Sequence, residues 1–266
     1  MLTKFTALAM GVLLSVSAMA ADMATADMAT LTHQAQSGDA VAQFDLAREY
    51  YQQGNHAKAF EWFTKAAHQG DAQAQYNLGV MYAQGLGVRQ DYHKAFEWFT
   101  KAAGQGHAKA QFNLGVMYHE GEGVRQDYKK AVEWYAKAAH QGFAEAQYNL
   151  GQMYRQGHGV HQDYYKAVEW YAKAAHQGFA EAQYNLGQMY RQGHGVHQDY
   201  YKAVEWYTKA AHQGDAAAQS NLGVMYDKGH GVRQNKSTAK RYYSQACDNG
   251  NQPGCDNYRI LNEQGY

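Results

Sequence analysis

Residues 71–106 read DAQAQYNLGVMYAQGLGVRQDYHKAFEWFTKAAGQG, and this stretch decides the fold. In its first half, alanine, leucine and methionine recur at spacings of three and four residues, so their side chains share one stripe of a helix. We therefore expect a helix over residues 72–84. The glycine-rich segment GLGV, which follows directly, ends this helix.

The second half of the stretch predicts another helix. The Asp91 carboxylate can accept a hydrogen bond from a free backbone N–H at a helix start. Ala95, Trp98 and Phe99 then fall on one face, and Gly106 ends the segment. One unit is thus a pair of helices joined by a short loop.

The same pattern returns every 36 residues. Residues 130–171 are identical to residues 166–207. A single helix pair cannot bury its apolar stripe alone, so repeated pairs must stack on one another. The tripeptide Asn-Leu-Gly begins at Asn77, Asn113, Asn149, Asn185 and Asn221, and Glu-Trp begins at Glu61, Glu97, Glu133, Glu169 and Glu205. The sequence therefore predicts an all-α fold of stacked antiparallel helix pairs.

The N-terminus has the features of a signal peptide. Lys4 precedes an apolar stretch over residues 5–16, and small residues at Ala18 and Ala20 predict cleavage after Ala20. The apolar stretch is too short for a membrane span, although a retained anchor is the alternative. We therefore expect a periplasmic or secreted protein.

The predicted domain organisation follows from the repeat. A leader with a capping helix occupies residues 21–37, and a second capping helix occupies residues 251–266. Between them, six repeats are expected at residues 39–70, 71–106, 107–142, 143–178, 179–214 and 215–250.

The charge balance and the cysteines restrict the kind of partner and compartment. Lys+Arg and Asp+Glu both number 24, so the basic excess of a nucleic-acid-binding protein is missing. Cys247 and Cys255 are the only cysteines, and in an exported chain such a local pair is expected to form a disulfide. We expect a monomer with a protein or peptide partner and no membrane span after signal cleavage.

The repeated positions closely resemble the Sel1-like repeat, a longer-looped relative of the tetratricopeptide repeat. The resemblance covers about residues 38–250 and implies a right-handed α-solenoid. It also implies a role in protein–protein adaptation, whereas some cysteine-rich relatives bind or slowly hydrolyse β-lactams and others are immunity proteins against secreted toxins. The matching residues are Ala72, Ala74, Leu78, Gly79, Tyr82, Gly85, Gly87, Val88, Lys94, Ala95, Trp98, Ala102, Ala103 and Gly106.

The C-terminal stretch strengthens the resemblance. Residues 246–257 are similar to the cysteine-containing end of exported bacterial Sel1-repeat proteins, in which a disulfide joins a second helix to the next first helix. Here only one such pair is present, so the Cys247–Cys255 disulfide would fix the C-terminal cap alone.

By analogy with tetratricopeptide repeats, the first helix of each unit lines a concave binding face. Its second, fifth, ninth and twelfth residues vary between units, whereas the packing positions barely vary. Tyrosine and arginine are typical of binding hot spots, although solvated or mutually paired Glu and Arg groups are the alternative. The expected protein-binding residues are Tyr76, Lys109, Phe112, Glu145, Tyr148, Gln152, Arg155, Glu181, Tyr184, Gln188 and Arg191.

No residue pattern predicts catalysis, a metal site or a cofactor. The chain lacks Gly-x-Ser-x-Gly, Ser-x-x-Lys, His-Glu-x-x-His and a glycine-rich phosphate loop. His158 and His161, repeated as His194 and His197, have a spacing that could suit zinc. They fall in a loop, however, and polar loop residues copied by duplication are the simpler explanation. We therefore expect a non-enzymatic scaffold.

Overall fold

The computed structural model describes residues 28–266, which form fourteen α-helices and no strand. The predicted signal peptide, its predicted cleavage after Ala20 and the predicted leader up to residue 27 lie outside the described residues. We call the first helix of each repeat its A helix and the second its B helix. The A helices are α2 (Ala40–Gln52), α4 (Ala72–Gln84), α6 (Ala108–Glu120), α8 (Ala144–Gln156), α10 (Ala180–Gln192), α12 (Ala216–Lys228) and the capping helix α14 (Gln252–Glu263). The B helices are α1 (Met28–Gln36), α3 (His56–His68), α5 (Tyr92–Gly104), α7 (Tyr128–His140), α9 (Tyr164–His176), α11 (Tyr200–His212) and α13 (Lys236–Asp248).

The helices are arranged in two compact units, residues 28–138 and residues 139–266. From α1 to α6, and again from α8 to α14, each helix packs against the next one in the chain. Short loops between packed neighbours make these pairs antiparallel. The predicted all-α solenoid class of stacked helix pairs is confirmed within each unit.

The helix boundaries follow the capping signals in the sequence. Helix α4 begins after Asp71, whose carboxylate accepts a hydrogen bond from the Ala74 amide at 2.6 Å. Helix α5 begins after Asp91, whose carboxylate accepts from the Lys94 amide at 3.0 Å. Gly85 ends α4 in the left-handed conformation, where a side chain would be strained. The helix boundaries expected within this repeat are therefore confirmed.

The A and B helices of one repeat approach each other at a glycine. A Cβ atom at Gly79 in α4 would lie 2.7 Å from the Phe99 ring of α5, closer than carbon atoms can pack. The distance between the paired helices is thus set by an absent side chain. The same glycine–ring contact recurs at Gly115 with Tyr135, Gly151 with Tyr171, Gly187 with Tyr207 and Gly223 with Tyr243.

A second glycine fixes the loop between the two helices of a repeat. Gly87 has a φ of 68°, and a Cβ atom there would overlap the backbone carbonyl of His56 at the start of α3. Gly195 makes the same approach to the Tyr164 carbonyl in residues 139–266. These loops therefore pack against the start of the preceding B helix.

Buried glutamines hydrogen-bond each A helix before α14 to its neighbours. Gln75 Nε2 donates to the Ala67 carbonyl of the preceding B helix at 3.1 Å, and Gln105 Nε2 donates to Gln75 Oε1 at 2.8 Å. Buried carboxamides are costly unless both ends are satisfied, so these bonds stabilise one specific register. The role of these glutamines was not predicted from the sequence. The same donation to a B-helix carbonyl is made by Gln43, Gln111, Gln147, Gln183 and Gln219.

The C-terminal cap is joined covalently to the last full repeat. Cys247 in α13 and Cys255 in α14 form a disulfide, as predicted. The predicted capping helix is present as α14, and its buried Leu261 belongs to the same core cluster as Tyr243 of α13. Among the helices of residues 28–266, none is long and apolar enough to cross a membrane.

We expect Gly79→Ala to destabilise residues 28–138 by about 1–3 kcal/mol, because the added methyl group must displace the Phe99 ring. Gly104→Ala is the matched control, since nothing lies within 4 Å of a Cβ at the end of α5. Urea denaturation followed by circular dichroism measures both variants. Equal stability of the two variants would show that the close approach is not restrictive.

Removing the disulfide with Cys247→Ser and Cys255→Ser should cost about 2.5 kcal/mol, the loop-closure entropy for a short loop. The loss should be confined to α13 and α14, because the bond closes only the C-terminal cap. Hydrogen exchange of the α14 amides measures this local loss of stability. Titration of the native protein should find no free thiol, and finding two without a reductant contradicts the pairing.

Candidate interaction surface

The expected binding residues all lie on A helices, and each unit holds part of the set. Tyr76, Lys109 and Phe112 belong to residues 28–138, and the other eight belong to residues 139–266. The second residue of an A helix lies in its first turn and the twelfth in its last turn. Since a helix rises about 1.5 Å per residue, these two positions are about 15 Å apart.

Tyr76 and Phe112 are buried, with 2% and 3% of their surfaces exposed. The Tyr76 ring packs 5.8 Å from the Phe99 ring and stacks on the His107 ring at 4.6 Å. The Phe112 ring packs 5.8 Å from the Tyr135 ring. Both rings therefore belong to the core of their own unit, where a partner cannot contact them.

His107 covers the Tyr76 ring and caps helix α6. Its Nδ1 accepts a hydrogen bond from the Ala110 amide at 3.2 Å, and its Nε2 lies 3.0 Å from Gln73 Oε1. Only the neutral ring with its proton on Nε2 satisfies both contacts. Burial, and then the Lys109 ammonium, lowers the pKa of His107 below its usual value. Protonation therefore removes the cap.

Because the folded state lowers the pKa of His107, the stabilisation is present above its unfolded pKa of about 6.5 and is lost as the pH falls below it. We expect the chain to lose about 1 kcal/mol, the typical value of an N-cap. Asp71 and Asp215 cap helices at the equivalent position. His107→Asp should therefore abolish this part of the pH dependence, measured as melting temperature between pH values of about 5 and 8. If the melting temperatures of the wild type and of His107→Asp change equally with pH, the role of His107 is contradicted.

In helix α8, a polar network joins the expected residues. Gln152 is buried, and its Oε1 accepts hydrogen bonds from the Tyr171 hydroxyl at 2.6 Å and from Arg155 Nε at 3.0 Å. Since Oε1 faces two donors, Nε2 must face Tyr148, and it donates to the Tyr148 hydroxyl at 2.8 Å. These bonds hold Arg155 and Tyr148 in fixed positions at the surface.

Helix α10 repeats most of the network one repeat later. Gln188 Nε2 donates to the Tyr184 hydroxyl at 2.5 Å, and Arg191 Nη2 donates to Gln188 Oε1 at 3.2 Å. The Tyr207 hydroxyl and Arg191 Nε are both buried without a hydrogen-bond partner. We call the half-exposed tyrosines and arginines of α8 and α10, with their glutamines, the tyrosine–arginine band; it consists of Tyr148, Gln152, Arg155, Tyr184, Gln188 and Arg191.

The tyrosines of the band stay protonated at neutral pH. Burial raises the pKa of both Tyr148 and Tyr184 above the usual value. In the bonds to Gln152 and Gln188, each tyrosine oxygen acts as the acceptor. Each hydroxyl hydrogen can therefore donate to a carbonyl or carboxylate of a partner.

Carboxylates lie at the opposite end of the same helices. Glu145 and Glu181 are in the first turns of α8 and α10, and neither is within 4 Å of Arg155 or Arg191 among the described residues. Burial, together with the Glu181 carboxylate, raises the pKa of the neighbouring Asp215. The alternative in which the Glu and Arg groups pair with each other is therefore not observed.

Two clefts open beside the arginines. The cleft between α8 and α10 has a volume of about 500 Å³ and is lined by residues that include Arg155, His158 and His194. The cleft between α10 and α12 has a volume of about 530 Å³ and is lined by residues that include Arg191 and Lys228. These clefts could not be predicted from the sequence, because their walls come from helices and loops one repeat apart.

The loop histidines stack on tyrosines at the mouths of these clefts. The His194 ring lies face to face with Tyr164 at 4.8 Å, and the His230 ring lies in the same way on Tyr200 at 4.7 Å. A periodic tyrosine 30 residues before each histidine was the available signal in the sequence. Within residues 28–266, no group of three or more His, Cys, Asp or Glu side chains could hold a metal ion.

The six helix pairs match a known repeat family. The Sel1 repeat model matches residues 40–71, 72–107, 108–143, 144–179, 180–215 and 216–251. The chain belongs to the Sel1 repeat family. Sel1 repeat proteins generally act as protein-interaction scaffolds and are typically not catalytic.

Solved Sel1 repeat structures are similar to this chain. A protective antigen of uropathogenic Escherichia coli is 41% identical, with a TM-score of 0.87 over 90% of this chain and 52% of its own. A Sel1 repeat protein from Oxalobacter formigenes is 34% identical, with a TM-score of 0.77 over 84% of this chain and 90% of its own. This chain therefore spans about half the length of the first of these proteins.

A curated relative shares only a short segment. A component of the ERAD-associated E3 ubiquitin-protein ligase of Candida glabrata is 46% identical over 44 residues, which is 16% of this chain and 5% of the relative. A match of this extent shows only local similarity and says nothing of the partner of this Sel1 chain.

Proposed function

We propose that this chain is an exported, non-enzymatic scaffold that binds another protein through the tyrosine–arginine band of residues 139–266. The observation that carries the proposal is the pair of matching hydrogen-bonded networks, in which Gln152 and Gln188 hold half-exposed tyrosines and arginines in place. Tyrosine and arginine supply much of the binding energy in protein interfaces. Glu145 and Glu181, at the far end of the same helices, extend this surface.

Rigid display is the proposed mechanism. The glycine–ring contacts and the buried glutamines fix the A helices, so little conformational entropy is lost when a partner docks. Lys109, in residues 28–138, is half-buried on α6 and is a further candidate contact of that unit. Tyr76 and Phe112 support their own unit from within its core.

Two observations support export. Residues 1–20 have the composition of a cleavable signal peptide. Cys247 and Cys255 are joined in a disulfide, and such bonds persist in the periplasm and outside the cell. The disulfide and the sequence of the N-terminus thus favour the same location.

The experiment is cross-linking and capture from the periplasm of a Gram-negative host that expresses the full chain. The expected product begins at Ala21 and cross-links to a protein partner. Arg155→Ala with Arg191→Ala should reduce the captured partner at least about ten-fold, because a hot-spot arginine contributes about 2 kcal/mol or more. The partner is identified and quantified by mass spectrometry.

Arg233→Ala with Arg241→Ala is the matched control. Both side chains are exposed in residues 139–266, so the variant loses the same charge outside the band. Equal capture by wild type and the band variant contradicts the proposal. Turnover of a chromogenic β-lactam by the purified protein would support the enzymatic alternative, and capture of a toxin would identify an immunity protein.

A further inference from the structure

The two clefts beside Arg155 and Arg191 define the chemistry of a ligand. We propose that they bind an acidic segment of the partner in extended conformation, with one carboxylate entering each cleft. The proposal deepens the proposed function and rests on it. Both clefts lie wholly within residues 139–266, and α10 contributes to both.

The lining of the clefts favours negative charge. The first cleft has Arg155, with His158 and His194, and the second has Arg191 and Lys228. No aspartate or glutamate is among the described residues that line either cleft. An incoming carboxylate therefore meets cationic groups and hydrogen-bond donors without a competing anion.

The two guanidinium groups are not neutralised by the protein. Neither Arg155 nor Arg191 has a carboxylate within 4 Å among residues 28–266. Their hydrogen bonds go to the neutral carboxamides of Gln152 and Gln188. Arginine presents five N–H donors, so donors remain for a bidentate contact with a ligand carboxylate.

The donors are held ready for the ligand. The glutamine bonds fix the arginines, and the stacking of His194 on Tyr164 fixes one wall of the first cleft. The Tyr184 hydroxyl, which accepts from Gln188, can donate to a backbone carbonyl of the segment. Such preorganisation lowers the entropic cost of binding.

The spacing of the clefts sets the spacing of the carboxylates. We estimate the distance between Arg155 and Arg191, which are equivalent residues of α8 and α10, as about 10 Å from the usual spacing of neighbouring helices. A chain in the extended polyproline II conformation has three residues per turn and rises about 3.1 Å per residue, so carboxylates three residues apart point to the same side and span about 9 Å, close to this distance. A segment with Glu-x-x-Glu in this conformation therefore reaches both clefts, whereas the side chains of adjacent glutamates point in different directions.

The remaining charges define where the segment runs. Glu145, Glu181 and Asp215 lie at the starts of the A helices, about 15 Å from the arginines along the helix axis. Asp227, near the second cleft on α12, is paired with Lys236 Nζ at 3.9 Å. An acidic segment is therefore attracted to the arginine end of these helices and repelled from the other end.

The test uses fluorescein-labelled peptides and the full purified chain. The probe Gly-Ser-Glu-Ala-Ala-Glu-Ser-Gly should bind at least about ten-fold more tightly than Gly-Ser-Glu-Glu-Ala-Ala-Ser-Gly, which has the same composition. A third peptide with lysines in place of both glutamates should not bind. Fluorescence anisotropy gives the dissociation constants, and added sodium chloride should weaken the binding.

Variants then assign the contact. Arg155→Gln with Arg191→Gln should weaken binding of the spaced peptide at least about ten-fold, whereas Arg233→Gln with Arg241→Gln should leave it unchanged. Arg155→Lys with Arg191→Lys keeps the charge and should give an intermediate loss, and it replaces the glutamine variant if that protein fails the circular-dichroism test of folding. Equal binding of the spaced and adjacent peptides, tighter binding of the lysine peptide, or unchanged binding by the arginine variants each overturns the proposal.

The proposed function does not depend on the acidic segment. If the periplasmic partner is captured through the band while no acidic peptide binds, the scaffold role stands and the acidic segment is wrong. If neither occurs, both are wrong.

Discussion

The contact of a backbone glycine with an aromatic ring determines the geometry of every full repeat after the first. At Gly79 and Gly151 the ring of the B helix lies where a Cβ atom would be, so the two helices are closer than ordinary side chains allow. The residue that follows each of these glycines is then held directly beside the ring. In α4 this residue is Val80, which is buried, and in α8 it is Gln152, whose carboxamide reaches the Tyr171 hydroxyl. The same backbone contact thus produces an apolar core in one repeat and a polar network in another.

The polar network explains how arginines remain at the surface in fixed positions. A buried carboxamide must satisfy both its ends, and Gln152 does so by accepting from Tyr171 and Arg155 and donating to Tyr148. Hydrogen bonds in a low-dielectric environment strengthen one another, so the arginine is oriented without being neutralised. An oriented and unpaired charge contributes more to selecting a partner than to the stability of the fold.

The features that depend on local chemistry could be predicted from the sequence, and those that depend on contacts between repeats could not. Asp71 caps its helix because its side chain reaches an amide three residues away. The burial of Tyr76 could not be predicted from nearby residues, because it depends on His107, which comes 31 residues later. The glutamine bonds and the two clefts were missed for the same reason, since Gln105 and its acceptor Gln75 are 30 residues apart in the chain. In repeat proteins, the periodicity predicts the packing within a unit, and the contacts between units must be observed.

The duplication gives two copies of the band that are identical in sequence but not in surroundings. Tyr171 donates to Gln152, whereas the equivalent Tyr207 is buried without a partner. Arg155 bonds its glutamine through Nε, and Arg191 does so through Nη2. The surroundings differ because α10 follows the first copy, whereas α12, with different residues at the corresponding positions, follows the second. Two linked sites bind a two-part ligand more tightly than either site alone.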